Sequence, residues 1–427
     1  TSPDLQRVRL SLPHYRSHGW EPVILCVDAE SAGGVREPEL AETVPGDVAV
    51  YRCRAWPRRL TRFIGVGSLG LRSWRHLWRA GLEIIAREKI DLVFVSTTEF
   101  VACYAARQWK RATGVPYVID LQDPWRTTHY EDTGTPPPGG WKYRFARLLA
   151  RMLEERSYAE AGGFISVSPR YLDDLRTRYR WMRSRPAETV VFGGSPTDLV
   201  AASRSSNRDT VALSRAQGEI HLVYTGAAGP IGEPALDALF HALNELCRQQ
   251  GDRARRLHLH FIGTSYEVDG SPSPVVAPLA QRWGVESQVH ERPARVSYLE
   301  SLQWQAQSDA LLLLGTADPA YSPSKLYPYF LSGKPILAVI RDDSQLRHLL
   351  LPLGGAVIIA INPKATASAS PPAAPALLAF LTAALEGFPA GSVPPRNPTY
   401  FHDHFGAQTL TKRQCALFDQ VAAARQH

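Results

Sequence analysis

Residues 321–340 read YSPSKLYPYFLSGKPILAVI, which sets two serines and a lysine ahead of a short aromatic segment, a Ser-Gly-Lys-Pro turn and an apolar strand. The first turn of a helix leaves backbone N–H groups unpaired and carries the positive end of the helix dipole. Ser322, Ser324 and Lys325 at that position would bind an anion, and a diphosphate fits the description. The plainer alternative is that Ser322 or Ser324 caps the helix while Lys325 lies in solvent. A second anion-compatible stretch is VYTGAAGPIGEPAL, 223–236, a strand, a glycine loop and a helix. Gly226, Gly229 and Gly232 would let backbone approach a phosphate closely, although their spacing is not a strict dinucleotide fingerprint.

A third cluster, VIDLQDPWRTTHY at 118–130, follows a buried strand and offers Asp120, Gln122, Asp123, Arg126 and His129. Polar groups at strand ends are where binding and proton handling concentrate. Asp123 could equally cap local backbone where Pro124 starts a turn, and His129 precedes a Gly- and Pro-rich loop.

These residues need a scaffold, and the pattern supplies one. Apolar strands at 22–28, 90–97, 115–123 and 163–168 alternate with helices at 72–89, 99–114, 144–161 and 169–179. The second half repeats the alternation, with strands at 219–226, 256–263, 309–315, 335–340 and 356–361 between helices at 234–249, 274–284, 297–308 and 343–350. Continuous apolar strands separated by helices imply parallel sheets covered on both faces. The expected class is therefore α/β, with two Rossmann-like doubly wound domains facing across a cleft and ligands at the carboxyl ends of the strands. The first domain is expected over 1–196 with a C-terminal crossing helix at 400–427, a linker over 197–218, and the second domain over 219–399. The first element is a helix over 3–19, so the expectation is that the first strand of the N-terminal domain is missing from this chain.

At 427 residues the chain is too long for one core, which agrees with two domains. Its five cysteines (26, 53, 103, 247 and 415) lack CxxC spacing, so free thiols in a reducing compartment are expected and a structural zinc is not. No apolar run would span a bilayer, no export signal opens the sequence, and the expected location is cytoplasmic. Residues 1–200 hold 29 Lys/Arg against 23 Asp/Glu, so they carry +6 of the +7 net charge. The sharpest segment, 51–81, has eight arginines and no acid, with Arg72, Arg75 and Arg79 at helical spacing and Trp74 and Trp78 one turn apart. It reads as a solvated helix face whose aromatics enter the core, or as a surface for an anionic membrane or a phosphate-bearing acceptor. No nucleic-acid module accompanies it.

The order of these elements resembles the GT-B glycosyltransferases, in particular family 4, retaining enzymes that build bacterial surface polysaccharides. The resemblance covers nearly the whole chain through PDLQRVRLSLPHYRSHGWEPVILCVD, DLVFVSTTEF, VPYVIDLQDPW, GFISVSPRYLDDL, VVFGGSPTDLV, LHFIGT, SDALLLLG and SPSKLYPYFLSGKPILA. It implies a nucleotide-sugar donor on the second domain, a glycan or lipid-linked acceptor on the first, retention at the anomeric carbon, and neither metal nor cofactor. By that likeness Gly226, Gly229, Ser322, Ser324 and Lys325 would hold the donor diphosphate, with Arg292 and Thr264 near the base. Gln122 and Asp123 would serve catalysis. Arg7, Arg72, Arg75, Arg79, Trp74, Trp78, Arg126 and His129 would face the acceptor or an anionic membrane, the latter making the protein peripheral on the inner face. Two departures stand out. The paired glutamates of many members are replaced by Ala320 and Pro328, and the glycine loop lacks the Arg/Lys pair. A catalytically silent partner subunit and a sugar-nucleotide epimerase therefore stay open as alternatives.

Overall fold

A computed structural model describes residues 3–32, 37–61, 67–126, 140–205, 211–228, 232–265, 272–316, 323–362 and 374–424; the side chains of 3–5, 140–146 and 217 are excepted. The chain divides into two compact units. The N-terminal unit comprises residues 2–34, 44–192 and 407–427, and the C-terminal unit comprises residue 1, 35–43 and 193–406.

In the N-terminal unit, β1 (Val23–Val27) pairs in parallel with β2 (Ala49–Cys53). A four-stranded parallel sheet runs β3 (Val93–Ser96), β4 (Tyr117–Leu121), β5 (Gly163–Ser166) and β6 (Ala187–Thr189) in that spatial order. The helices Leu69–Arg87 and Val101–Thr113 meet at Gly81, where a Cβ would come within 2.2 Å of the Trp109 ring. Glycine is required there for contact, not for backbone conformation, and the Trp109 indole N–H reaches the Trp78 carbonyl at 2.8 Å. The helix Ala407–Ala423 returns to this unit and buries Leu410, Leu417, Phe418 and Val421 against Leu12, Tyr15, Val118, Ile165 and Val190. Each such side chain stabilises the fold by roughly 2 kcal/mol relative to exposure.

The C-terminal unit is built on a six-stranded sheet, all of its pairs parallel. Its strands are β7 (Ile220–Thr225), β8 (Leu257–Ile262), β9 (Val289–Arg292), β10 (Ala310–Leu314), β11 (Ile336–Arg341) and β12 (Ala356–Ile361). The spatial order is β12-β11-β10-β7-β8-β9. Strand ALLLL of β10 is buried throughout, as expected of a central strand covered on both faces. The core joins Leu222, Leu259, Leu312 and Leu337 of the sheet to Leu236, Leu239 and Leu243 of helix Glu233–Gln250 and Leu377 and Leu381 of helix Ala374–Leu385. The sheet grows outward in one direction through β7, β8 and β9 and in the other through β10, β11 and β12. This reversal opens a crevice beyond the carboxyl ends of β7 and β10.

Four sequence expectations change. The helix expected over 3–19 ends at Ser11 and continues as two 3-10 turns, because Pro13 has no N–H to give back to the helix. Part of the expected linker is a structural helix, Pro196–Arg204, capped by Ser195; it buries Asp198, which accepts from the Tyr298 hydroxyl at 2.9 Å, and Ala202 packs with Leu40, Leu299 and Leu302. Its polar composition hid that narrow apolar stripe. The expected single C-terminal helix is two, Pro398–Phe405 and Ala407–Ala423, broken at Gly406. Strands β2, β6 and β9 were not expected; they are short and mix polar with apolar residues, so neither a continuous run nor a clean alternation marks them.

Candidate functional site

The end of β7 and the start of helix Leu326–Leu331 are tied by the Tyr329 hydroxyl. It accepts from the backbone N–H of Thr225 at 2.9 Å and lies 3.3 Å from the Thr225 hydroxyl oxygen, which also accepts from Gln305 at 3.4 Å. That tie brings Lys325 back over β7. Its ammonium lies 3.8 Å from the centroid of the Tyr224 ring, whose own hydroxyl donates to the Ala227 carbonyl at 2.7 Å. Gly226 has φ +114°, and a Cβ there would sit 3.0 Å from the Lys325 Nζ, so only glycine leaves room for the ammonium. Burial first, and the charge of Arg295 second, pull the Lys325 pKa down to about 7.

The site draws its positive charge from Lys325 more than from a helix end. The helix is six residues long with Pro328 inside it, too short for the macrodipole that the sequence suggested. In the described part of the glycine loop, the N–H groups of Gly226 and Ala228 already donate to the carbonyls of Ile262 (2.8 Å) and Thr264 (3.0 Å). Gly226 admits a cation; it does not present its own donor. Ser324 is half-buried in the turn before Lys325. Ser322 and Gly229 lie outside the described residues.

Thr264 and Arg292 are engaged elsewhere. The Thr264 hydroxyl donates to Glu291, whose two carboxylate oxygens also accept the backbone N–H groups of Val275, Val276 and Ala277. Arg292 pairs with Glu300 in the first turn of helix Tyr298–Gln307. The Thr264 hydroxyl and one Arg292 nitrogen are thus engaged in anchoring loops within the unit. The charge that adds to burial in lowering the Lys325 pKa is that of Arg295, three positions on.

In the N-terminal unit, Ser96 ends β3 opposite Asp120 in β4. One carboxylate oxygen of Asp120 accepts from Ser96 (2.8 Å) and the Gln122 amide (2.6 Å) and lies 2.8 Å from Arg7 Nε. Arg7 also donates to the carbonyls of Val190 and Val191, at 2.6 and 3.3 Å. Arg7 is thus a buried clamp between the first helix and the sheet, not an acceptor- or membrane-facing residue. The Gln122 amide nitrogen also reaches Ser96 at 3.0 Å, while its side-chain oxygen is buried and has no partner among the described residues. Asp123 is exposed in the loop that follows. Arg126 points 3.8 Å from Glu154, a wholly buried carboxylate held also by Arg178 (2.7 Å) and Tyr179 (2.9 Å). His129 lies outside the described residues.

The basic segment splits. Arg72 is buried and donates to the carbonyls of Trp56 (2.8 Å) and Ser31 (3.1 Å), Trp74 lies tilted against Tyr104, and Trp78 packs on the core, so these three do not form a docking face. Their side of helix Leu69–Arg87 is the inward one. Arg75 and Arg79 are exposed. Also outward are Trp56 at 47%, Leu60 at 57% and Leu71 at 40% exposure, near Arg54, Arg58 and Arg59 in sequence. Sequence reasoning saw Trp56 as one of the aromatics interleaved with the arginines but missed Leu60 and Leu71, because isolated apolar residues carry no periodic signal. Among the described residues no helix is long and apolar enough to cross a membrane.

Residues 6–193 match the glycosyl transferase 4-like domain family. No curated protein sequence matches the chain. Among solved structures, a sucrose-phosphate synthase from Thermosynechococcus elongatus is 13% identical with a TM-score of 0.59, over 97% of this chain and 92% of that one. HepE of Anabaena, solved with UDP and glucose, is 14% identical with a TM-score of 0.56, over 98% and 96%. A glycosyltransferase from Rickettsia africae is 10% identical with a TM-score of 0.52, over 98% and 94%. At such identities these likenesses establish a shared fold.

Proposed function

We propose, since residues 6–193 match the glycosyl transferase 4-like domain family and the fold is that of GT-B glycosyltransferases, that the chain moves a sugar from a nucleoside diphosphate donor, bound in the C-terminal unit, to an acceptor bound in the N-terminal unit. The observation that carries this reading is the Lys325 ammonium, set against Tyr224 and Gly226 at the carboxyl end of β7, where the strand order reverses. A diphosphate there would stabilise the protonated amine, and the amine would neutralise charge developing on the leaving group as the glycosidic bond to the donor breaks. On this reading no metal is required, because a fixed cation does that work.

The HepE structures contain UDP and, in one case, UDP-glucose, which makes UDP the first nucleotide to try. On the acceptor side, the buried Gln122 oxygen, unpartnered among the described residues, is suited to receive a hydrogen bond from an acceptor hydroxyl, with exposed Asp123 beside it to take the proton. A polysaccharide or lipid-linked intermediate is the acceptor class we favour, with retention at the anomeric carbon. Peripheral docking on an anionic membrane is part of the same reading and would use Trp56, Leu60 and Leu71 as apolar anchors, with Arg75 and Arg79 among the charges.

Calorimetric titration of UDP, GDP, ADP and dTDP, with and without their sugars, tests the donor half. One nucleotide should bind wild type, and Lys325→Ala should weaken it at least tenfold with the fold intact. Binding of none of them, or full affinity in Lys325→Ala, would overturn the assignment of the diphosphate. Product NMR in the presence of a chelator tests retention and metal independence together.

A further inference from the structure

Two neighbouring strands of the N-terminal unit are each followed by an aromatic residue. Ser96 closes β3 and Phe100 comes soon after it; Leu121 closes β4 and Trp125 follows at the same interval. Parallel pairing of β3 with β4 brings the two loops together at the carboxyl ends of the strands. There the Phe100 and Trp125 rings stack, with centroids 5.2 Å apart and planes 11° from parallel. Rings in face contact are about 3.5–4 Å apart, so this centroid separation means that the pair is slipped, and each ring leaves part of its face uncovered by the other. Both residues are half-exposed.

The two loops are held in place from within the unit. Trp125 packs against the core and lies 5.8 Å from the fully buried Tyr158 ring, while Arg126 beside it is 3.8 Å from Glu154. On the other loop, the Glu99 carboxylate accepts from the Ser68 hydroxyl at 2.7 Å and from the N–H groups of Leu69 and Gly70 at 3.2 and 2.9 Å. Trp125 shares its loop with Gln122, whose buried side-chain oxygen has no partner among the described residues. The strand ends thus combine an aromatic surface with a hydrogen-bond acceptor in need of a donor. A pyranose has the matching two-sidedness: its C–H groups, polarised by neighbouring oxygens, are drawn to the negative face of a ring, and its hydroxyls supply donors at the edge. An aliphatic chain would cover the rings but leave the Gln122 oxygen unpaired, which costs free energy.

We propose that Phe100 and Trp125 form the platform on which a sugar ring of the acceptor stacks, so that the N-terminal unit selects a pyranose by its C–H face. The proposal rests on the acceptor half of the reading above and names the part of the acceptor that the unit grips. Because Tyr158 and Glu99 position the two loops in advance, little ordering is lost on binding.

The test is saturation-transfer NMR with methyl β-D-glucoside, methyl β-D-galactoside, methyl α-D-mannoside and farnesyl phosphate against wild type, Phe100→Leu and Phe100→Tyr, with thermal melts to confirm folding. UDP, GDP, ADP and dTDP titrated against wild type report separately on the donor reading. At least one glycoside should receive saturation from wild type, most strongly at the axial C–H protons of one ring face. Phe100→Leu, which keeps an apolar side chain without a ring, should weaken that glycoside about fivefold, and Phe100→Tyr should hold it within about twofold. No transfer to any glycoside, or equal affinity in wild type and Phe100→Leu, would overturn the platform; a nucleotide bound by the same wild type would leave the donor reading standing. Transfer to farnesyl phosphate alone, lost in Phe100→Leu, would give the pair to a lipid chain and overturn the sugar assignment. A glycoside held through Phe100 by a protein that binds none of the nucleotides would sustain the platform and remove the donor reading.

Discussion

The Lys325 ammonium stands 3.8 Å from the centroid of the Tyr224 ring, against a glycine whose missing side chain makes the approach possible. The aromatic face partly replaces the water that the amine has lost, a contact worth about 1–2 kcal/mol when desolvated. It does not replace all of it, and the pKa falls to about 7. The amine is therefore poised to gain a proton and an anion together.

That poise makes donor binding pH-dependent. UDP-glucose has no phosphate proton to lose near neutrality, so its affinity reports the protein. Below pH 7 Lys325 is already protonated and affinity should be level. Above pH 7 the free amine must take up a proton to bind, and affinity should drop about tenfold per unit until the raised pKa of the bound state is passed. Titrations from pH 6 to 9 check this, and Lys325→Met should give a flat profile at weak affinity.

Gly226→Ala should separate contact from backbone strain when set beside Gly333→Ala. Both glycines have positive φ, +114° and +78°, but a Cβ at Gly226 meets the Lys325 Nζ at 3.0 Å, whereas at Gly333 nothing lies within 4 Å. Each change should cost about 1–2 kcal/mol of stability. Only Gly226→Ala should also reduce nucleotide affinity, measured on the folded fraction by calorimetry.

Asp120→Ala should be among the most destabilising single changes in the N-terminal unit. It leaves the Arg7 guanidinium buried beside Ser96 and Gln122 without its carboxylate, a loss of about 3–5 kcal/mol for a broken buried pair. Urea melts of Asp120→Ala, Arg7→Met and the double variant would show the double losing less than the sum of the singles. Liposome binding, by contrast, should not respond to Arg7.

Acid stability should depend on a stack of four histidines across β7, β8 and β9. His221 and His260 are 2.9 Å apart at their ring nitrogens, His258 and His290 are 3.0 Å apart, and Trp304 covers His260. Burial first, then the neighbouring imidazoles, push His260 down to about 3, and His258 and His290 are lowered as well; Glu219, 3.8 Å from His258, works the other way. The unfolded chain then binds more protons than the folded one below the ordinary histidine pKa. Stability should be fully present above pH 6.5 and be lost as pH falls from there toward 3. Melting temperatures of wild type and His260→Asn over that range measure it; the variant should show the shallower slope.

Membrane docking should follow the outward apolar residues, not the tryptophans singled out by spacing. Trp56→Ser with Leu60→Ser and Leu71→Ser should abolish flotation with phosphatidylserine vesicles, and Arg75→Gln with Arg79→Gln should make the residual binding less salt-sensitive. Arg72→Ala should instead lower stability, since its two carbonyl partners lose their donor. Equal flotation of wild type and the triple variant would remove the membrane from the proposal.

Much of this protein is local information. Runs such as ALLLL and AVIIAI between amphipathic helices dictate parallel strands covered on both faces, and the place of Lys325 after a buried strand is what singled it out for an anion. What periodicity leaves open is which side of a stretch turns inward: Arg72, Arg75 and Arg79 look alike in the chain, yet one is buried and two are exposed, because packing against the carbonyls of Ser31 and Trp56 selects the face. The meeting of Lys325 with Tyr224 and Gly226 has no local signal at all. It comes from β10 lying beside β7, so that residues distant in the chain become neighbours, and strand order is set by the summed burial of a whole sheet. Sequence suggested the kind of chemistry; only the tertiary arrangement decided what Lys325 meets and which arginines are spent holding the fold.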